Sequence, residues 1–312
     1  MRDPKNPAHG LNRPVNERRP ALVHRVTERS LLLDYLFAHF PHLKKTGVKQ
    51  TLKYGSVRVN GRIVTRHRHE LKPGDAVEFL SKQDAFAERL KNDLGFLIVY
   101  EDEDVVVVEK PAGLLTMSTE HEKEDTVYFQ LTEYQRAKSR DGRGRIFIVH
   151  RLDRDASGLV VFAKNEKAKK MLQENWKLAI KKYYAVVEGV PEEKKGKIES
   201  HLVEDAYRRV YSIQNRSNES KYAVTNYRLL RENGRFAFLD IELETGRKNQ
   251  VRVHLSDLGH PIVGDLKYSA QSNPIRRLAL HAYHLSFPHP STGKRMSFHS
   301  KLPENLERLV YY

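Results

Sequence analysis

Six consecutive residues, His150-Arg151-Leu152-Asp153-Arg154-Asp155, place a histidine, two arginines and two carboxylates between apolar stretches. Ile146 to Val149 comes before them and Leu159 to Ala163 after. Unpaired ions buried in a β core are strongly destabilising, so such a loop is paired, exposed or functional. Loops held between rigid strands are also where reacting groups tend to sit. Two carboxylates suggest glycoside hydrolysis first, but Asp153 and Asp155 lie two apart on one loop. That spacing is poor for flanking a sugar from opposite sides. A metal centre built on His281, His284 and His289 is also disfavoured. Positions three apart on a strand face opposite ways, and no acidic ligands accompany them.

The bulk composition narrows the choice of partner. Lys and Arg number 55 against 40 Asp and Glu, a net charge of +15 over 312 residues. The pI is about 9.7. A field of that sign attracts polyanions, nucleic acid first and an anionic membrane surface second. The chain has no cysteine, which excludes disulfides, thiolate metal sites and a cysteine nucleophile. Apolar runs such as Val105 to Val108 are far too short to span a bilayer, and the N-terminus lacks a signal-type apolar core. No glycine-rich phosphate loop followed by Lys-Ser or Lys-Thr is present, so no nucleotide cofactor is expected. A cytoplasmic protein is the expectation.

The elements that position the loop fall into two domains. Residues 1–25 contain Pro4, Pro7, Pro14 and Pro20 among basic and polar residues and read as a flexible basic tail. Leu32, Leu33, Leu36, Phe37 and Phe40 recur at helical spacing, closed by Pro41. A second helix fits Thr46 to Tyr54, with Gly55 as a left-handed cap. Ser56-Val57-Arg58-Val59, the turn Asn60-Gly61 and Arg62-Ile63-Val64 predict a hairpin, and Ala76 to Leu80 a further strand. Residues 26–82 thus form a small α+β module, and 83–95 a partly helical linker. In residues 96–312, strands are expected at Leu97 to Tyr100, Val105 to Glu109, Ile146 to Val149, Lys182 to Gly189, Ser220 to Leu229, Phe236 to Leu243 and Leu278 to Leu285. Helices are expected at Thr126 to Arg136 and Glu166 to Leu178.

Two resemblances attach to these residues. The helix pair and hairpin resemble the S-four-type RNA-binding module, first known from a ribosomal small-subunit protein. That likeness assigns phosphate contacts to Lys44, Lys45, Lys49, Lys53, Arg58 and Arg62. His150 to Asp153, followed by Ser157-Gly158-Leu159-Val160-Val161-Phe162-Ala163-Lys164, resembles the signature of the RluA-type family of RNA pseudouridine synthases. Glu109-Lys110-Pro111-Ala112-Gly113, Lys181-Lys182-Tyr183-Tyr184, Gly246-Arg247 with Gln250-Val251-Arg252-Val253-His254, and Leu278 to Pro290 match further family segments in order. The likeness runs from about Val26 to Pro303. The chain departs from the family at Ala156, where Thr is usual, and at Lys248-Asn249, where Thr-His is usual.

The second resemblance implies a mixed, mainly antiparallel α+β domain around a central cleft. It implies Asp153 as the catalytic carboxylate, which attacks or assists at the anomeric carbon or takes a proton from the sugar. It implies Arg151 as the residue that displaces the target base, Tyr183 as a ring stacked on that base, and Arg252 as the ion-pair partner of Asp153. A paired arginine keeps a partly buried carboxylate ionised and oriented. Tyr184 should face away from Tyr183, since neighbours on a strand point to opposite faces. No metal or cofactor is implied. The expected partner is RNA, ribosomal before transfer RNA, for a monomer that binds no membrane. The rival reading is a non-catalytic RNA-binding or ribosome-assembly protein.

Overall fold

The computed structural model describes residues 23–40, 44–53, 55–80, 82–139 and 141–311. The tail expected at residues 1–25 lies almost wholly outside them, as does the side chain of Lys45. The chain divides into two compact units, 1–89 and 90–312, a division that falls within the 83–95 segment. Among the described residues no helix is long and apolar enough to cross a membrane.

In the first unit, β1 (Val23–Arg25), β2 (Ser30–Leu31) and α1 (Leu32–His39) lead into α2 (Lys45–Lys53). The chain then forms β3 (Val57–Val59), β4 (Arg62–Ile63), β5 (Glu70–Leu71) and β6 (Ala76–Phe79). Four strands make one sheet in the order β1-β6-β3-β4, while β2 pairs with β5. Asn60 and Gly61 both have positive φ, 51° and 77°. That is the geometry a two-residue hairpin turn requires, and Asn-Gly adopts it at little cost. Leu32, Leu36, Val48, Leu52, Val57 and Val77 are fully buried together, so the apolar stripes of both helices cover one face of the sheet. The strands β1, β2 and β5 are two or three residues long, too short to show a periodicity in sequence. The helical part expected within 83–95 is α3, which spans Lys82–Asp93.

The second unit is built on one large sheet. Its strands are β7 (Leu97–Glu101), β8 (Val105–Lys110), β9 (Phe147–Ile148), β10 (Ser157–Ala163), β11 (Ile180–Glu188) and β12 (Lys195–Glu204). They continue with β13 (Val210–Ile213), β14 (Lys221–Glu232), β15 (Phe236–Leu243), β16 (Leu280–Pro288) and β17 (Arg295–His299). The order is β13-β12-β14-β15-β11-β16-β10-β8-β7, with β17 also on β16 and β9 on β10. Every pairing is antiparallel except β10 with β16. The helices are α4 (Val127–Lys138), α5 (Glu166–Glu174), α6 (Gln250–Asp257) and α7 (Glu304–Tyr311). The fold is therefore α+β with a mixed, mainly antiparallel sheet. Two differences from the sequence expectation have local causes. The helix begun at Glu166 stops at Glu174, because the Asn175 side chain donates to the Met171 carbonyl and a 3-10 turn, Trp176–Leu178, follows. The strands β12, β13 and β17 were not anticipated; β12 is interleaved with lysines and glutamates and carries little apolar alternation.

The parallel join places the charged loop around Asp153. Ser157 and Gly158 sit opposite His281 and Ala282, so the end of the loop is tied to the middle of the sheet. Gly158 has φ +116°, and a Cβ there would lie 2.2 Å from the Ala282 carbonyl oxygen and 2.6 Å from its nitrogen. Backbone meets backbone, and neither can move without breaking the ladder. Gly158→Ala should therefore destabilise the chain by about 3 kcal/mol or more in urea unfolding. Gly293, at φ +67° with open space around it, provides the control. Its alanine variant should lose only about 1–2 kcal/mol, and equal losses at both sites would refute the close-approach argument.

Candidate active site

The loop 149–156 between β9 and β10 is held from below by the segment that ends β8. Lys110 is completely buried, and its ammonium donates to the carbonyls of Pro111, Leu114 and Arg154 at 2.9, 2.7 and 2.9 Å. Gly113 donates its N–H to the same Arg154 carbonyl and accepts from the Arg154 side chain. Thr116 Oγ1 donates to the Leu152 carbonyl at 2.9 Å and lies 3.2 Å from the Leu152 N–H, from which it accepts. In the fold, the segment from Lys110 to Thr116 staples the loop on both sides of Asp153.

With the loop fixed, Asp153 faces a cleft whose lining includes Arg151, Tyr183, Asn249, Arg252 and Leu280. The Asp153 side chain is 22% exposed. Arg252 comes from α6 on the opposite wall and reaches Asp153 Oδ2 at 3.4 Å. Its stronger partner is Asp265, whose carboxylate takes two hydrogen bonds of 2.7 Å from Nε and Nη2. Burial works against the guanidinium charge, but Asp265 foremost and Asp153 outweigh it and hold the arginine firmly protonated. Asp265 was not singled out in the sequence. Its only local mark is an aspartate after the glycine that ends an apolar run, and nothing there names a partner thirteen residues back.

Tyr183 and Tyr184 sit on β11 and diverge as expected of strand neighbours. Tyr183 lines the cleft. Burial, and secondarily the Asp153 charge, raise its hydroxyl above the ordinary tyrosine range. Tyr184 stacks on Tyr283 with centroids 3.7 Å apart. Arg151 is exposed at the rim, with Nη1 3.6 Å from Met117 Sδ. The structure thus brings Arg151, Asp153, Tyr183 and Arg252 to one cleft.

The α6 wall is braced by Gln250. Its amide nitrogen donates to the Val224 carbonyl and Thr225 Oγ1, and its oxygen accepts from Thr245 Oγ1 and the Arg247 N–H. The histidines weighed as ligands are otherwise engaged. His281 bridges Ser157 and Ser300 at 2.8 and 2.9 Å, and burial pushes it down to about 4. His284 packs on His299.

The cations assigned to RNA differ in availability. Lys44, Lys49, Lys53 and Arg62 are exposed. Arg58 is held by Glu78 and Glu88, so its charge is largely neutralised within the unit.

A fold of this kind is shared with known proteins. Residues 104–257 match a family model described as RNA pseudouridylate synthase. An uncharacterized RNA pseudouridine synthase of Bacillus subtilis, YlyB, is 34% identical over 270 residues, covering 85% of this chain and 88% of its own length. The ribosomal large subunit pseudouridine synthase D of Pasteurella multocida is 30% identical over 294 residues, covering 89% and 90%. Among solved structures, human RNA pseudouridylate synthase domain containing 4 superposes with a TM-score of 0.58 at 25% identity, covering 73% of this chain and 97% of that one. The chain belongs to the RNA pseudouridine synthase family. It is an isomerase that acts on RNA.

Burial pushes Lys110 down to about 7, against the pull of the Asp155 and Asp153 carboxylates. The unfolded chain keeps this proton up to about pH 10.5, the folded chain only to about 7. Unfolding therefore takes up a proton between those values, and stability rises with pH across the window. Lys110→Met removes that ionisation. Relative to wild type, its urea midpoint should fall progressively behind as pH rises through the window. Parallel pH profiles would show that Lys110 is not the titrating group.

Proposed function

We propose that the chain is an RluA-type synthase that converts specific uridines of ribosomal RNA to pseudouridine through Asp153. The observation that carries this is the convergence of Asp153, Arg252, Tyr183 and Arg151 on one cleft of a chain of this family. In the reaction the bond from the anomeric carbon to uracil N1 breaks, the base turns, and the same carbon bonds to C5. A proton leaves C5 and another is taken up at N1. Atoms and electrons balance within the nucleotide, so no oxidant, reductant or energy source is consumed.

Asp153, oriented by Arg252, acts at the anomeric carbon or on a proton of the sugar. Tyr183 offers a flat ring for the flipped base. Unstacking a base costs a few kcal/mol, which insertion of Arg151 and contacts to phosphates offset. The first unit serves as an S-four-type module spanning residues 26–82, joined through 83–95 to the catalytic domain 96–312. Lys44, Lys49, Lys53 and Arg62 are its outward cations, Lys45 joins them by sequence, and Arg58 contributes less. The protein works in the cytoplasm as a monomer. Relatives named for the large ribosomal subunit support ribosomal RNA over transfer RNA.

The test uses purified full-length protein and ribosomal RNA carrying tritium at C5 of uridine. Wild type should release label. Asp153→Asn, nearly isosteric, should slow release by at least about 10³-fold while RNA affinity is unchanged. Equal release by the variant would reject Asp153 as the catalytic group, and release from transfer RNA alone would reassign the substrate.

A further inference from the structure

Asn249 occupies a position whose backbone and side chain are both unusual. It precedes the first turn of α6 with φ +53°, and its side chain makes no capping hydrogen bond to that helix. Asparagine at a helix start ordinarily accepts from an N–H of the first turn. Left-handed backbone costs most residues about 1–2 kcal/mol, and asparagine tolerates it better than most. The side chain is turned instead toward Asp153 and Tyr268, and the residue is only 8% exposed.

The orientation of the carboxamide follows from its neighbours. With nitrogen toward Asp153, it donates to Oδ2 at 3.0 Å and Oδ1 at 3.2 Å, while its oxygen accepts from the Tyr268 hydroxyl at 3.0 Å. The reverse orientation would gain one long contact, 3.4 Å from Arg252 Nη1, but set the amide oxygen against two carboxylate oxygens, all three acceptors. Tyr268 is itself fixed. Its ring is buried under the Arg252 guanidinium, 4.9 Å from the centroid, and its hydroxyl accepts from the Val210 N–H at 3.3 Å. A chain of donors therefore runs from Val210 through Tyr268 and Asn249 to Asp153. By contrast, the Arg252 contact with Asp153 is 3.4 Å long, and its short bonds go to Asp265.

We infer that Asn249 is a positioning residue for the reaction: its amide orients the Asp153 carboxylate and Tyr268 holds that amide in place. This rests on Asp153 being the catalytic group. Arg252 supplies the countercharge, and Asn249 supplies the closer directional contact. An amide donor here also replaces the imidazole that the related motif usually carries at this position, and imidazole Nδ1 is the same number of bonds from the backbone as amide Nδ2.

The experiment measures kcat, KM for RNA and melting temperature for four variants of the full chain. Asn249→Ala should lower kcat about tenfold to thirtyfold with KM near wild type and the melting temperature down by only a few degrees, the cost of alanine in left-handed backbone. Asn249→Asp, equal in size and equally tolerant of the backbone, should be worse than alanine, because it turns a donor into a like charge. Asn249→His should recover most of the alanine loss. A merely structural role would make aspartate the mildest change, and that order would overturn the inference. So would unchanged kcat in the alanine variant, or losses seen only in KM or melting temperature. Asp153→Asn separates the two levels. If it is inactive while the Asn249 variants behave as wild type, only the positioning role fails; if it turns over normally, the reading of the site fails with it.

Discussion

The Arg252 guanidinium lies between two carboxylates, and the layout of the site follows from how it serves them. Asp265, almost fully buried, takes the two short hydrogen bonds and fixes the plane of the arginine. Asp153 receives what remains, one longer contact from the other edge. A buried pair of this kind contributes little net stability when intact and costs heavily when one partner is removed. Its value here is geometric. The arginine is anchored by a residue outside the cleft, so it presents a rigid positive charge to the carboxylate inside it. Substrate RNA brings its own negative charge, and a less firmly held cation would be drawn to phosphate instead.

Asp153 in turn depends on the sheet beneath it. Among the described strands only β10 and β16 pair in parallel; that pairing brings the end of the Asp153 loop to the strand beside Tyr183, and β8 closes over it from the other side. Lys110 uses its three ammonium hydrogens on three carbonyls, one of them in the loop. Thr116 meets both backbone groups of Leu152, directly before Asp153. Active-site loops so built are rigid by hydrogen-bond satisfaction more than by packing, which leaves the facing surface open for a nucleotide.

Much of this was legible in the sequence where the signal is local. Asn60-Gly61 announced its hairpin, the leucine spacing announced α1, and alternation on β11 separated Tyr183 from Tyr184. The charged hexad around Asp153 stood out because charges rarely interrupt apolar strands without cause. What escaped was set by contacts far apart in the chain. Asp265 has no pattern of its own, and its role exists only because α6 faces the turn that carries it. Lys110 sat in a recognised motif, yet the three carbonyls that explain it come from two different loops. The strand β12 is half solvated and carries lysines and glutamates where apolar alternation would mark a strand, and β13, Val-Tyr-Ser-Ile, is only four residues long. Arg58 read as a free cation because Glu78 and Glu88 lie 20 and 30 residues further along.

If the Asp153 cleft isomerises uridine in ribosomal RNA, a map of pseudouridine in cellular RNA will register it. Carbodiimide adduct stops are compared between cells that have and lack the chain. The expected result is loss of one or a few sites in ribosomal RNA, restored by wild type and not by Asp153→Asn. An unchanged map, or restoration by Asp153→Asn, would contradict it.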